Sequence, residues 1–171
     1  MDVLIRDATA ADLDVVAGLI RGLADYEHLT DEVTWTLDGL GRSLFGPGAV
    51  PRVVLAELPA VAAPVGLAVW FPTYSTFLGR PGIWLEDLFV VPEHRGADVG
   101  RALLEHVFNL AGDGRVEWAV LDWNAPSIAF YESLGARPTQ GWTTYRWRRG
   151  EGRTGEVAAP LERVEHHHAD D

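Results

Sequence analysis

Trp84-Leu85-Glu86-Asp87-Leu88-Phe89-Val90-Val91-Pro92-Glu93-His94-Arg95-Gly96-Ala97-Asp98-Val99-Gly100-Arg101 is the stretch that decides the fold. Its first part is an apolar, β-branched and aromatic run stopped by Pro92, which reads as a buried strand. Its middle is a short glycine-containing loop. Its end opens a helix, because Val99, Leu103, Val107 and Leu110 recur at helical spacing. A strand, a tight loop and a helix start together place unpaired N–H groups and a positive dipole end at the loop, which suits a phosphate. Arg95 and Arg101 flank the loop and add charge-assisted contacts.

Working outward from this unit, strands and helices alternate. Upstream, Val3-Leu4-Ile5 reads as a strand, and Thr9 with Asp12 reads as a capping signal for a helix over about 10–26. Leu37, Leu40 and Leu44 mark a second helix, closed by Gly46-Pro47-Gly48. Arg52 to Glu57, Val65 to Phe71 and Ile83 to Val91 read as three successive strands. Downstream of the central helix come a strand over Val116 to Leu121, a helix over Pro126 to Leu134 ended by Gly135, and a last strand over Thr143 to Trp147. The order β-α-α-β-β-β-α-β-α-β predicts an α/β domain with helices on both faces of a mixed sheet.

Composition bounds the function. A chain of 171 residues fits one domain. No apolar run approaches the roughly 18 residues of a membrane span, and the first residues lack the basic and apolar regions of a signal peptide. With no cysteine, disulfides and cysteine catalysis are excluded. A cytoplasmic location is the expectation. The net charge of −11 argues against a nucleic-acid surface and suits cationic partners such as amines. All the basic side chains that are not histidine are arginine, which reads as coding composition. Residues 150–171 are Gly-, Glu- and Arg-rich and are expected to form a flexible tail to a domain of residues 1–149. His166-His167-His168 fall in that tail and are read as solvated. His94 and His106 have no partner at metal-ligand spacing, so no metal is expected.

Two further groups carry chemistry. Asn124, Ser127 and Tyr131 lie at i, i+3 and i+7, one face of a helix. That face is either an ordinary cap with a half-buried phenol or a polar stripe turned toward a ligand. Glu86 and Asp87 are adjacent in a strand and should point to opposite faces, so one of them lines a given groove, with Trp84, Leu88 and Val90 on the side of Glu86. A carboxylate there is either a paired structural acid or an acceptor for the proton that an ammonium must lose before it can attack. The Trp70-Phe71-Pro72-Thr73-Tyr74 cluster reads as core and groove wall.

Arg95-Gly96-Ala97-Asp98-Val99-Gly100 resembles the acetyl-CoA motif of the GNAT acetyltransferases, Arg/Gln-x-x-Gly-x-Gly/Ala. The Asn124…Ser127…Tyr131 spacing resembles that family's second hallmark. The resemblance implies a GNAT fold, with a mixed, mostly antiparallel sheet of about six or seven strands flanked by about four helices. It implies that Leu88, Phe89 and Val90 contact pantetheine. Arg95, Gly96, Ala97, Asp98, Val99, Gly100 and Arg101 would hold the phosphates. Asn124 and Ser127 would contact the cofactor, and Tyr131 would protonate the departing thiolate. The amide of Leu88 or a neighbour would polarise the carbonyl. Asp98 departs from the motif, standing where its first Gly belongs. That position calls for a left-handed conformation, which Asp tolerates less well than Gly, and its carboxylate would repel a pyrophosphate unless it caps the helix instead.

The Leu85-Glu86-Asp87-Leu88-Phe89-Val90 string and Ala24-Asp25-Tyr26-Glu27 resemble the spermidine/spermine (diamine) branch of that family. Tyr74-Ser75-Thr76, Gly79-Arg80 and Ala119-Val120-Leu121-Asp122-Trp123-Asn124 are similar to its thialysine acetyltransferase sub-branch. By that resemblance Glu86 is the catalytic carboxylate, and Tyr26, Glu27 and Glu86 bind the amine. Ser75 stands where polyamine acetyltransferases carry an acid, so an ω-amino acid is expected ahead of a long polyamine. The expected function is transfer of acetyl from acetyl-CoA to a small primary amine, by a homodimer. A non-catalytic acyl-CoA-binding module and a protein-acetylating enzyme remain as alternative readings.

Overall fold

In a computed structural model, residues 2–148 are described. They fall into two compact units, Met1–Ala129 and Phe130–Asp171. The expected tail over 150–171 lies outside the described residues.

The first unit holds one five-stranded sheet in the order β1-β2-β3-β4-β5. The strands are β1 (Leu4–Asp7), β2 (Arg52–Glu57), β3 (Gly66–Ser75), β4 (Arg80–Val90) and β5 (Val116–Glu117). The first four pair antiparallel, and β5 joins β4 in parallel. The helices are α1 (Leu13–Tyr26), α2 (Leu37–Phe45), α3 (Val99–Ala111) and α4 (Ala125–Ser133). Six or seven strands were expected; five are present among the described residues.

Local chemistry explains the boundaries. Before α1, the Thr9 N–H donates to Asp12 Oδ2 at 2.8 Å, so an acid three residues on satisfies an orphan donor, as its spacing predicts. Arg6 ties this corner to the sheet by bonding both Asp12 and Glu57, which holds the Asp12 carboxyl well below the usual range. Helix α2 starts where Thr36 Oγ1 accepts from the Gly39 N–H at 3.1 Å.

The sheet is covered on both faces. Val53, Leu55, Leu67, Val69 and Phe89 form one core with Val16, Ala17 and Leu19 of α1 and Leu40 and Leu44 of α2. The alternate residues Val54, Ala56 and Ala68 are buried on the other side. There α3 contributes Val99, Leu103, Leu104 and Val107. A Cβ on Gly66 would stand 2.8 Å from the Phe89 carbonyl oxygen and 3.2 Å from Leu103 Cδ1, so this strand start has room only for glycine.

Two expectations need correction. The strand expected over Val116 to Leu121 ends at Glu117. Trp118 instead turns its ring to Phe108 of α3, 6.3 Å away between centroids, and the chain leaves the edge of β4. The strand expected over Thr143 to Trp147 is absent from the second unit: Trp142, Tyr145 and Trp147 are exposed, and no ladder partners them among the described residues. Alternation supplies the pattern of a strand, but burial of one face makes it form.

Candidate active site

The site is built around an irregularity in β4. Asp87 stands opposite Val69, but the next pair along is Leu85 with Trp70. Glu86 is therefore an extra residue, a β-bulge. Cross-strand partners share a face, so Asp87 opposite Val69 and Phe89 opposite Leu67 both face α1. Trp84, opposite Phe71, shares that face by the same register, and its Nε1 donates to Glu86 Oε2 at 2.8 Å. Simple alternation separated the two carboxylates; the bulge brings both to one face. It also moves Leu88, opposite Ala68, and Val90, opposite Gly66, to the α3 side, away from Glu86.

Asp87 is the titratable group that alternation missed. It is partly buried, and burial, then the neighbouring charge of Glu86, then that of Glu27, push its carboxyl up to about 6. Glu27, at the C-terminus of α1, is itself raised by burial. Glu86 is exposed. The charges of Glu86 and Glu27 thus both act on Asp87 beside the bulge. Nothing in the residue pattern signals a bulge, so Asp87 could be found only from the register.

Tyr26 forms the adjoining wall. Its hydroxyl donates to Asn124 Oδ1 at 3.2 Å, and the same oxygen accepts the Ser127 N–H at 3.3 Å. Asn124 is buried and caps α4. Ser127 reaches this arrangement through its backbone. Trp123 lies 6.1 Å from the Tyr26 ring and 5.9 Å from that of His28, a residue with φ of 60°.

The expected cofactor cradle meets a test in the backbone. Strand β5 pairs with β4 only at Ile83 and Trp84. From Leu85 to Val90 no described strand occupies that edge of β4, which leaves room for an extended ligand, although the Val90 carbonyl already accepts from Arg95 Nε at 3.0 Å. Asp98 has φ of 59° and ψ of 9°, the left-handed conformation that the glycine of the motif would adopt. The substitution thus leaves position 98 in the left-handed region. Asp98 occupies the N-cap position of α3, but its side chain makes no capping bond, contrary to the expected alternative. It faces Arg101 instead, Oδ1 to Nε 3.8 Å, and Arg101 is also 3.6 Å from Glu105. The open edge and the loop fit acetyl-CoA.

Ser75 is buried, and its Oγ accepts the Leu78 N–H at 3.2 Å, so it serves the β3–β4 turn. Trp70 and Phe71 are partly buried and Tyr74 is exposed; among the described residues the buried Trp70 Nε1 has no hydrogen-bond partner. Tyr131 belongs to the second unit, where it is partly buried with its ring 5.5 Å from Phe130. Among the described residues no group of three or more His, Asp or Glu could hold a metal. None of the helices there is long and apolar enough to cross a membrane.

An open strand edge, a left-handed residue before α3 and a capped α4 are parts of an acyltransferase fold. The chain belongs to the GNAT family of acetyltransferases: the family model matches residues 51–136. It is 37% identical to a thialysine N-epsilon-acetyltransferase of Sus scrofa, over 85% of this chain and 92% of that relative. It is 29% identical to an L-ornithine N5-acetyltransferase of Arabidopsis thaliana, over 83% and 82%. An integron cassette protein from the mobile metagenome of V. cholerae has the same fold, with a TM-score of 0.70 at 22% identity over 86% and 93%. The chain is an acetyl-CoA-dependent N-acetyltransferase.

Proposed function

We propose that this enzyme acetylates the terminal amine of a small ω-amino acid such as thialysine or ornithine, or of a short diamine, and that Asp87 receives the amine's proton. The carrying observation is the convergence of Glu27, Glu86 and Asp87 at the bulge, with Asp87 raised to about 6. An alkylammonium has a pKa near 10 and is protonated at neutral pH. A carboxylate at about 6 is still mostly ionised at pH 7, and it is a better proton acceptor than one at its ordinary value. Glu86 and Glu27 supply the negative potential that draws in the cation.

Acetyl-CoA supplies the acetyl group as an activated thioester. Leu88, Phe89 and Val90 hold its pantetheine arm along the open edge, and the loop from Arg95 to Arg101 holds its phosphates. The Leu88 amide, or a neighbour's, polarises the acetyl carbonyl. Tyr131 gives its proton to the leaving sulfur. Transfer is direct, since there is no cysteine to carry the acetyl group. The named substrates of the two relatives and the turn role of Ser75 support a short substrate. The enzyme works in the cytoplasm as a homodimer, with residues 1–149 as its catalytic domain.

The test is CoA-thiol release from acetyl-CoA with thialysine, lysine, ornithine, spermidine and a basic peptide. Turnover with a small ω-amino acid or diamine is expected. Turnover confined to the peptide, or acetyl-CoA binding with no turnover on any amine, would overturn the assignment.

A further inference from the structure

Arg95 sits where the family motif places a phosphate ligand, yet its contacts lead elsewhere. Its guanidinium carbon lies 4.4 Å from the centroid of the Tyr26 ring and 5.6 Å from that of Phe89. Its Nε donates to the Val90 carbonyl at 3.0 Å. The Tyr26 ring thus carries a cation on its face, while its hydroxyl is bonded to Asn124. Glu27, the next residue, is one of the charges that act on Asp87. One arginine of the phosphate loop therefore touches the wall of the amine pocket and the last residue of the open strand edge.

We infer that Arg95 is a positioning residue that couples the two substrates: an anion held by its amino groups fixes the guanidinium plane, and that plane fixes Tyr26 and Glu27 against the amine. A guanidinium suits this task. It is always charged, it is flat, and it can stack on a ring while its edge binds an oxyanion. The Nε and the flat face are engaged by Val90 and the two rings, so an anion would be held by the donors of the two amino groups. Such coupling is reciprocal, so whatever factor CoA exerts on amine affinity, the amine exerts on CoA. The inference rests on the amine-acetylating reading above.

Two measurements test it, and the first needs no amine. The chain has four tyrosines, so 13C-tyrosine labelling gives few ring signals, and Tyr26→Phe assigns that of Tyr26. Saturating CoA should move the Tyr26 ring signal in the natural protein and leave it in place in Arg95→Met, which keeps an apolar contact and loses the charge. The second is the dissociation constant of thialysine with and without CoA. CoA should tighten thialysine by about five-fold or more in the natural protein and by less than about two-fold in Arg95→Met and Tyr26→Leu; Tyr26→Phe, which keeps the ring, should retain the effect. A Tyr26 signal unmoved by CoA, or an unchanged factor in Arg95→Met, would overturn the coupling. If CoA moves Tyr26 through Arg95 as expected but no amine is acetylated, the positioning of Tyr26 by Arg95 stands, while the substrate assignment, and with it the coupling to an amine, falls.

Discussion

Asp87 is the direct cross-strand partner of Val69, and this pairing puts its carboxyl on the face that α1 covers. Every chemical consequence at the bulge follows from it. One residue earlier, Glu86 has no partner across the ladder and holds the indole N–H of Trp84.

If Asp87 takes the proton, kcat/KM should rise with pH through about 6 as its carboxyl ionises, until other groups titrate. Asp87→Asn should lower kcat by about 100-fold or more and abolish that rise. Glu86→Gln should act mainly on KM for the amine. A pH profile unchanged in Asp87→Asn would remove the role.

The same shift has a sign for stability. A carboxyl raised in the folded state resists ionisation there, so it penalises the fold above about pH 6, and the penalty fades toward its ordinary value of 3.8. Asp87→Asn should therefore raise the unfolding free energy at pH 8 by about 1–3 kcal/mol and change it little at pH 4. Urea denaturation at the two pH values measures the difference. A less stable variant at pH 8 would contradict the desolvation account.

Asp98→Gly should tighten CoA binding by about three- to ten-fold, read by calorimetry, because it removes both a carboxylate at the phosphates and a side chain in the left-handed region. The Asp98–Arg101 pair is exposed and contributes little that glycine would lose. Unchanged or weaker binding would mean that the carboxylate is no obstacle.

Tyr131→Phe should lower kcat by about 10- to 100-fold with CoA affinity nearly unchanged, since only proton donation is removed. Full turnover in this variant would assign the proton to another group.

Gly66→Ala should destabilise the fold by about 1–3 kcal/mol, because the new methyl meets the Phe89 carbonyl oxygen at 2.8 Å. Phe89 lies on the open edge, so CoA affinity should fall with stability. Thermal unfolding with and without CoA separates the two effects.

The sequence made much of this legible. Helical spacing located α1 and α3 to within a few residues, and the acid at Asp12 marked the start of α1 because capping is local chemistry. The loop before α3 was visible through Arg95, Gly96 and Gly100, and Asp98 takes the left-handed conformation expected there. What escaped depends on partners. The bulge at Glu86 is a mismatch between two strands and leaves no trace in either alone. The short β5 turns on where Trp118 packs, and the pattern at 143–147 lacks a described neighbour to bury its aromatics.

The edge of β4 from Leu85 to Val90 has one more consequence. A strand with a vacant side is a template for any extended chain, its own copies included, and such edges drive aggregation. Acetyl-CoA, lying along that edge, would act as a removable strand that closes the sheet. The irregularity at Glu86 would then do double duty: in the proposed mechanism it presents carboxylates to the amine, and it spoils the flat register that a foreign strand would need. The net charge of −11 adds repulsion between copies. On the proposed mechanism, one inserted residue would thus serve both the chemistry and the protection of the sheet's edge.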